Sequence, residues 1–376
     1  MSDFVRQLPG GSFTKRTSIA DYVHLDWYLL LLIYVTSAYG LVILFSAVDQ
    51  KVPAVTSQAV KIAIASVGMV IMAQFSPIVF RRLAPWLYGL GLVLLIAVLV
   101  VGTEVNGSQR WLRVPGVASF QPSEFMKLIL PMMLATYFHE RHLPPKGKHI
   151  FWALVMIAIP VLLVARQPDL GTSLLIGAAG LLVLLLAGIP WRFVFGAPGL
   201  GMVCAPGLWF LLRDYQKNRI LTLLDPERDP LGAGWNIIQS KTAIGSGGLF
   251  GKGLFEGTQS HLDFLPESQT DFIIAVLAEE LGLIGVCLLL ILYILLSGRS
   301  AMIAIQAQDT FSRLLAGSIT FTFFVYVFVN IGMVSGILPV VGVPLPLVSF
   351  GGTSLLTLLA SFGILMSIHT HRRITL

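Results

Sequence analysis

Glu124 and Lys127 are charged residues set in an apolar stretch, Gln121-Pro122-Ser123-Glu124-Phe125-Met126-Lys127, and their i, i+3 spacing puts both on one face of a helix. An ionisable group inside a spanning helix costs about 2.5 to 3.5 kcal/mol on insertion scales, which makes each a functional candidate by default. Such a pair either neutralises itself for insertion or lines a polar cavity where its cation can meet an anion. Asp271 follows Leu265-Pro266-Glu267-Ser268-Gln269-Thr270 and opens another long apolar run. A carboxylate there complements a helix dipole, and it is equally placed to take a proton as a general base. Glu279 and Glu280 lie eight and nine residues further on, about 12 to 14 Å deeper if the helix is continuous, and read as helix-packing groups.

Other candidates sit in the connections. Asn106-Gly107-Ser108-Gln109-Arg110-Trp111-Leu112-Arg113 offers Arg110, whose planar donor fork suits a phosphate, beside Trp111, which reads equally as an interfacial belt residue. Arg166 and Asp169 form a further charged cluster in Ala165-Arg166-Gln167-Pro168-Asp169-Leu170-Gly171-Thr172. The segment Leu338-Pro339-Val340-Val341-Gly342-Val343-Pro344-Leu345-Pro346, running on to Ser349-Phe350-Gly351-Gly352, reads as a broken entry into the last helix that shapes a cavity wall. The glycine run from Gly245 to Gly253 is no nucleotide loop, since it lacks the Gly-Lys-Ser/Thr ending. His139, His142, His149, His369 and His371 show no metal-ligand spacing, and Cys204 and Cys287, both within apolar runs, read as packing residues.

The elements that must position these groups are membrane helices. Of the 376 residues 56% are hydrophobic and 12% charged, with a mean hydropathy of +0.83, whereas soluble domains carry roughly 25% charged residues. The apolar runs are continuous and do not alternate as barrel strands would, so the expected fold is an all-α polytopic membrane protein. Ten runs are long enough to cross: Trp27 to Ala47, Gln58 to Phe75, Pro85 to Val101, Pro122 to Phe138, Phe151 to Val164, Leu170 to Gly188, Trp191 to Leu212, Asp271 to Ser297, Leu314 to Leu338 and Leu345 to Ile368. The first has no convincing small-residue cleavage site and is expected to remain as a span.

The net charge of +6 does not point to nucleic acid, because the basic residues are spread over short connections instead of clustering. Arg6, Lys15, Arg16, Arg81, Arg82, Arg141, Lys146, Lys148, Arg192, Arg299, Arg313, Arg372 and Arg373 fall on one side, against Lys51, Arg110, Arg113 and Arg166 on the other. Thirteen against four places both termini in the cytoplasm under the positive-inside rule. Residues 1–376 then form one transmembrane domain in which 213–270 is a large extracytoplasmic connection. Its length, with Trp235, Ile237, Ile238 and Phe264, predicts a folded cap with short amphipathic helices.

Taken in order, Arg110-Trp111, Gln121-Pro122-Ser123-Glu124, Gln167-Pro168-Asp169-Leu170-Gly171-Thr172, Asp225-Pro226, Asp229-Pro230-Leu231-Gly232-Ala233-Gly234, Gln239-Ser240-Lys241, Thr270-Asp271-Phe272 and Pro344-Leu345-Pro346 closely resemble the SEDS family of cell-wall polymerases, over nearly the whole chain. The Gln239-Ser240-Lys241 to Gly248 stretch resembles members that serve elongation more than those that serve division. Where many relatives carry histidine before the threonine, this chain has Gln269.

The resemblance implies a peptidoglycan glycosyltransferase at the outer face of the cytoplasmic (inner) membrane, joining lipid II units into glycan strands during elongation and rod-shape maintenance. It implies a class B penicillin-binding protein as partner, together with other elongation-complex membrane proteins. The family's essential aspartate maps to Asp271, and its acidic and basic pair to Glu124 and Lys127. Arg110, Trp111, Gln121, Ser123, Arg166, Asp169, Gln239, Lys241 and Thr270 become the substrate-binding candidates. A divalent cation, Mg or Mn, has room in such a reaction, with no ligand set indicated. Two rivals remain open, a flippase or transporter for the lipid-linked precursor and a scaffold that only recruits the transpeptidase. A transporter should hold its binding groups near the midplane, whereas the charged candidates here gather towards one face.

Overall fold

The computed structural model describes residues 24–371, apart from 106–107, 115–117, 229–232, 262–266 and all of 191–213 except 196, 207 and 210. Among the described residues, seven helices are long and apolar enough to cross a membrane: α1 (Trp27–Ala47), α2 (Val52–Gln74), α3 (Pro77–Val101), α5 (Gly147–Arg166), α10 (Ile273–Ile305), α11 (Thr310–Val334) and α12 (Thr353–Thr370). Between them run α4 (Pro122–His139) and the shorter apolar α6 (Leu170–Leu186). The expected span Trp191 to Leu212 lies outside the described residues.

The helix starts follow from local chemistry. The Asp26, Asp169 and Asp309 side chains accept the backbone N–H groups of Leu29, Thr172 and Ser312, each at 3.1 Å, while Pro77 and Pro122 occupy first-turn positions where no N–H is needed. Apolar side chains such as Leu90, Val93, Leu162 and Ile294 are exposed on the outside, as lipid requires. Cys287 is exposed on the same outer face of α10 as Leu283, Ile284 and Leu288, so it does not pack between helices as expected; a thiol is apolar enough for that position.

Helix α4 is the central element, packed against α3, α6 and α11, which is why Glu124 and Lys127 are only 6% and 8% exposed. At the far end of the bundle the first and last helices meet. Arg299 on α10 donates to Asp26 at 2.6 Å, His369 lies 3.6 Å from the same carboxylate, and His24 bonds Thr370 and stacks on His371. The start of α1 and the end of α12 therefore lie on one side of the bundle.

The other end is less regular. Residues expected to form a plain loop between α3 and α4 make a three-stranded antiparallel meander, β1 (Thr103–Val105), β2 (Ser108–Val114) and β3 (Ala118–Phe120), in which short strands satisfy backbone groups that a loop would leave open. The long connection contains α7 (Asp214–Leu224), α8 (Ala233–Gly247) and α9 (Thr258–His261), in keeping with the expected folded cap. The last helix starts at Thr353 instead of Leu345, because the proline-rich segment before it is unwound.

Helix α10 is not continuous. Gly282 sits at φ 64° and ψ −161°, a conformation only glycine adopts without strain, and the freed backbone groups bond to the glycine-rich connection. Lys252 N and Gly253 N donate to the carbonyls of Glu279 and Glu280 at 3.0 Å, while Leu283 N and Ile284 N donate to Gly248 and Leu249 at 3.0 and 3.2 Å. A side chain at Gly282 would collide with Gly251 N and Leu249 O. The glycine run is helical up to Gly247 and the rest is a plug, and a Cβ at Gly247 or Gly251 would collide with the backbone of Ala278 or Glu280.

Candidate active site

Glu124 and Lys127 are joined at 2.6 Å, and the Lys127 ammonium lies 4.8 Å from the centre of the Tyr326 ring on α11. Both charged residues line a cavity bounded by α4, α11, α12 and the unwound stretch Pro344 to Ser349. The cation is held between one Glu124 carboxylate oxygen and the Tyr326 side chain.

A second cluster adjoins the first turn of α4. Gln121 Nε2 donates to Ser123 Oγ at 3.0 Å and to Asp169 Oδ2 at 2.9 Å, and Asp169 lies 3.8 Å from Arg110, which also donates to Pro168 O at 2.5 Å. Sequence neighbours from three separate motifs are thereby joined into one polar network.

Asp271 does not line this cavity. It lies in the turn before α10 and not in the helix, which begins at Ile273. That turn is tied down by the broken entry to α12: Phe350 N donates to Gln269 O at 2.9 Å, Ser349 Oγ to Thr270 O at 2.5 Å, and Asn330 Nδ2 to both Asp271 O (2.9 Å) and Val343 O (2.7 Å). Asn330 is one helical turn from Tyr326, so the Asp271 turn and Lys127 contact neighbouring turns of α11. Burial pushes the Asp271 carboxyl up to about 6, helped by the Glu267 charge and opposed by Arg219. A carboxylate tuned towards neutrality is suited to take a proton near physiological pH.

The remaining expectations divide. Arg166 is exposed in the last turn of α5, and Asp169 pairs with Arg110 in its place. Trp111 is half-buried on β2, and Thr270 donates its hydroxyl to Glu267 at 2.6 Å. Gln239 and Lys241 lie on α8, which docks on the end of α11 through Ser240 Oγ to Val334 O at 2.9 Å, apart from the pair. In the broken entry, the Ser349 hydroxyl donates to Thr270 O and accepts from Leu345 N. Among the described residues no group of three His, Cys, Asp or Glu gathers as a metal site.

Several residues were missed at the sequence level. Thr322, Tyr326 and Asn330 share one face of α11 at four-residue spacing, a polar stripe legible as an interruption of an apolar run. Lys61, within α2, lies 3.6 Å from the Phe350 ring centre and should have been flagged as an intramembrane cation.

Residues 21–374 match the profile of the cell cycle protein family that groups FtsW, RodA and SpoVE. The chain belongs to this family. It is 54% identical over 354 residues to peptidoglycan glycosyltransferase MrdB of Escherichia coli K12, covering 94% of this chain and 95% of that one. A probable peptidoglycan glycosyltransferase FtsW of Trichlorobacter lovleyi is 37% identical over 370 residues, covering 94% of each. The fold also matches a chain from a structure of polymerization and crosslinking by a peptidoglycan synthase complex, with a TM-score of 0.81 and 32% identity over 93% of this chain and 99% of that one. The crystal structure of Thermus thermophilus RodA gives a TM-score of 0.69 and 30% identity over 92% and 96%.

Proposed function

We propose that this family member is a glycosyltransferase that polymerises lipid II into glycan strands at the outer face of the cytoplasmic membrane, with Asp271 as general base and Lys127 as receiver of the leaving group. The observation that carries this reading is the buried Glu124–Lys127 pair lining a cavity whose wall, Pro344 to Ser349, also ties down the turn that carries a half-buried carboxylate poised at about 6. The acceptor's 4-hydroxyl gives its proton to Asp271 as its oxygen attacks the anomeric carbon of the donor. The bond from that carbon to the lipid diphosphate breaks, and α linkage becomes β linkage in one inverting displacement. The diphosphate leaves as an anion and needs no general acid, unlike the leaving group of a glycosidase. Lys127 offsets its charge, Glu124 fixes the position of Lys127, and Arg110 stands in the adjoining network.

The asymmetry of basic residues supports cytoplasmic termini, and the meeting of the start of α1 and the end of α12 at the end of the bundle away from the cavity agrees with it. A class B penicillin-binding protein is the proposed partner, supported by the likeness to a chain of a synthase complex. The test is to incubate the purified chain with lipid II and resolve glycan on a gel. Wild type should yield strands, which neither a flippase nor a scaffold would make, and Asp271→Asn should reach the membrane folded and yield none. Normal chain formation by Asp271→Asn would remove this residue from the mechanism.

A further inference from the structure

The cavity lining holds a carboxylate oxygen that a diphosphate cannot use. Glu124 Oε1 takes the Lys127 ammonium, but Glu124 Oε2 is buried without a hydrogen-bond partner, and so is the hydroxyl oxygen of Thr322, which lines the same cavity. A buried polar atom left unpaired costs roughly 1 to 3 kcal/mol, more when charged, so these two atoms signal a missing partner. A diphosphate carries acceptors only. It would satisfy Lys127 and be repelled by Glu124 Oε2, whereas the partner of a carboxylate oxygen must bring an O–H or N–H. The sugar joined to that diphosphate has both.

We infer that Glu124 Oε2 and the Thr322 hydroxyl hold a hydroxyl or amide N–H of the donor sugar, while Tyr326 keeps the Lys127 ammonium turned to the adjoining diphosphate. This rests on the reading of the site as a lipid II polymerase and adds to it a sugar-reading surface on α11. The tight spacing explains why acid and base are adjacent: the two charges match the junction between an anionic diphosphate and a donor-rich ring. Thr322 is a substrate-contact residue and Tyr326 a positioning residue.

Binding of two ligands to the purified full-length chain separates the roles, in the Asp271→Asn background so that nothing turns over. The probes are lipid II and undecaprenyl diphosphate, which lacks the sugars. Thr322→Val keeps the side-chain shape and should weaken lipid II binding roughly 3- to 10-fold, the value of one hydrogen bond, with undecaprenyl diphosphate unchanged. Thr322→Ser, which restores the hydroxyl, should recover lipid II binding. Tyr326→Leu, which removes every contact to the ammonium, should weaken both. Unchanged lipid II affinity in Thr322→Val, or equal loss on both ligands, would overturn the sugar contact alone and leave the polymerase reading standing. Failure of the parent to bind either ligand would overturn both.

Discussion

The Lys127–Glu124 pair on α4 and the Lys252–Glu279 pair between the long connection and α10 have nearly the same contact distance, 2.6 and 2.7 Å, and both bury their carboxylate. They differ in how the acid is used. Glu279 Oε1 accepts from Lys252 Nζ, from Thr258 Oγ1 at 3.2 Å and from Gln259 N at 3.0 Å, and the backbone around it is bonded to the glycine plug. Glu124 Oε1 has Lys127 alone, and its second oxygen faces a cavity with no partner. Saturated hydrogen bonding marks the pair that holds two segments together, whereas unused valence marks the pair built for a ligand. Charge in a membrane helix is therefore informative only together with its bonding.

The comparison breaks most clearly if both pairs are replaced by neutral residues of similar shape. Removing one partner of a buried pair strands the other charge, while removing both is often close to neutral for stability. Glu124→Gln with Lys127→Met should leave membrane abundance and melting near wild type and reduce lipid II polymerisation by more than about 100-fold, since the leaving group loses its cation. A gel showing wild-type strands from that double variant would make the pair structural, like its counterpart.

The proton chemistry gives the next largest effect. With Asp271 pushed up to about 6, the polymerisation rate should be flat above that pH and fall about tenfold per pH unit below it, as the base becomes protonated. Rates measured on purified protein from pH 5 to 8 check this, and a profile that stays flat down to pH 5 would require a different base.

The saturated pair should respond weakly in activity. Glu279→Gln with Lys252→Met is expected to keep polymerisation within about threefold of wild type, whereas Lys252→Met alone should lower the melting temperature because it strands the buried Glu279 carboxylate. Thermal unfolding of the two variants side by side gives the readout, and a loss of more than tenfold in activity by the double variant would put the plug among the catalytic parts.

Sequence logic reached the membrane fold because lipid demands long apolar runs, and it reached Glu124–Lys127 because i, i+3 spacing fixes a helix face. Gln121 and Asp169 were named from separate motifs, but their bond depends on how α4 and α6 pack, which spacing within either motif does not encode. Helix α10 looked continuous because apolar residues flank Gly282 on both sides; its break exists only because the glycine plug supplies partners for the freed groups. Tyr326 passed unnoticed since an aromatic residue in an apolar run is ordinarily packing, and the lysine that gives it a role comes from a different helix.

The smallest effect concerns stability and isolates the cost of preparing the base. Below about pH 3 the Asp271 carboxyl is neutral in both folded and unfolded chains, so its burial costs little. Between its ordinary value of 3.8 and about 6 the unfolded chain releases the proton first, and folding stability from this group falls as pH rises; above 6 the loss is complete and constant. Asparagine resembles the protonated form. Asp271→Asn should therefore melt higher than wild type at pH 7.5, by a stabilisation on the order of 1 kcal/mol after allowance for solvent screening, and equal to it near pH 3. Melting curves in detergent at the two pH values measure the difference. A variant less stable than wild type at pH 7.5 would mean that the carboxylate is favourably paired in the resting protein, and that the turn before α10 is held by its charge as Glu279 is held in the plug.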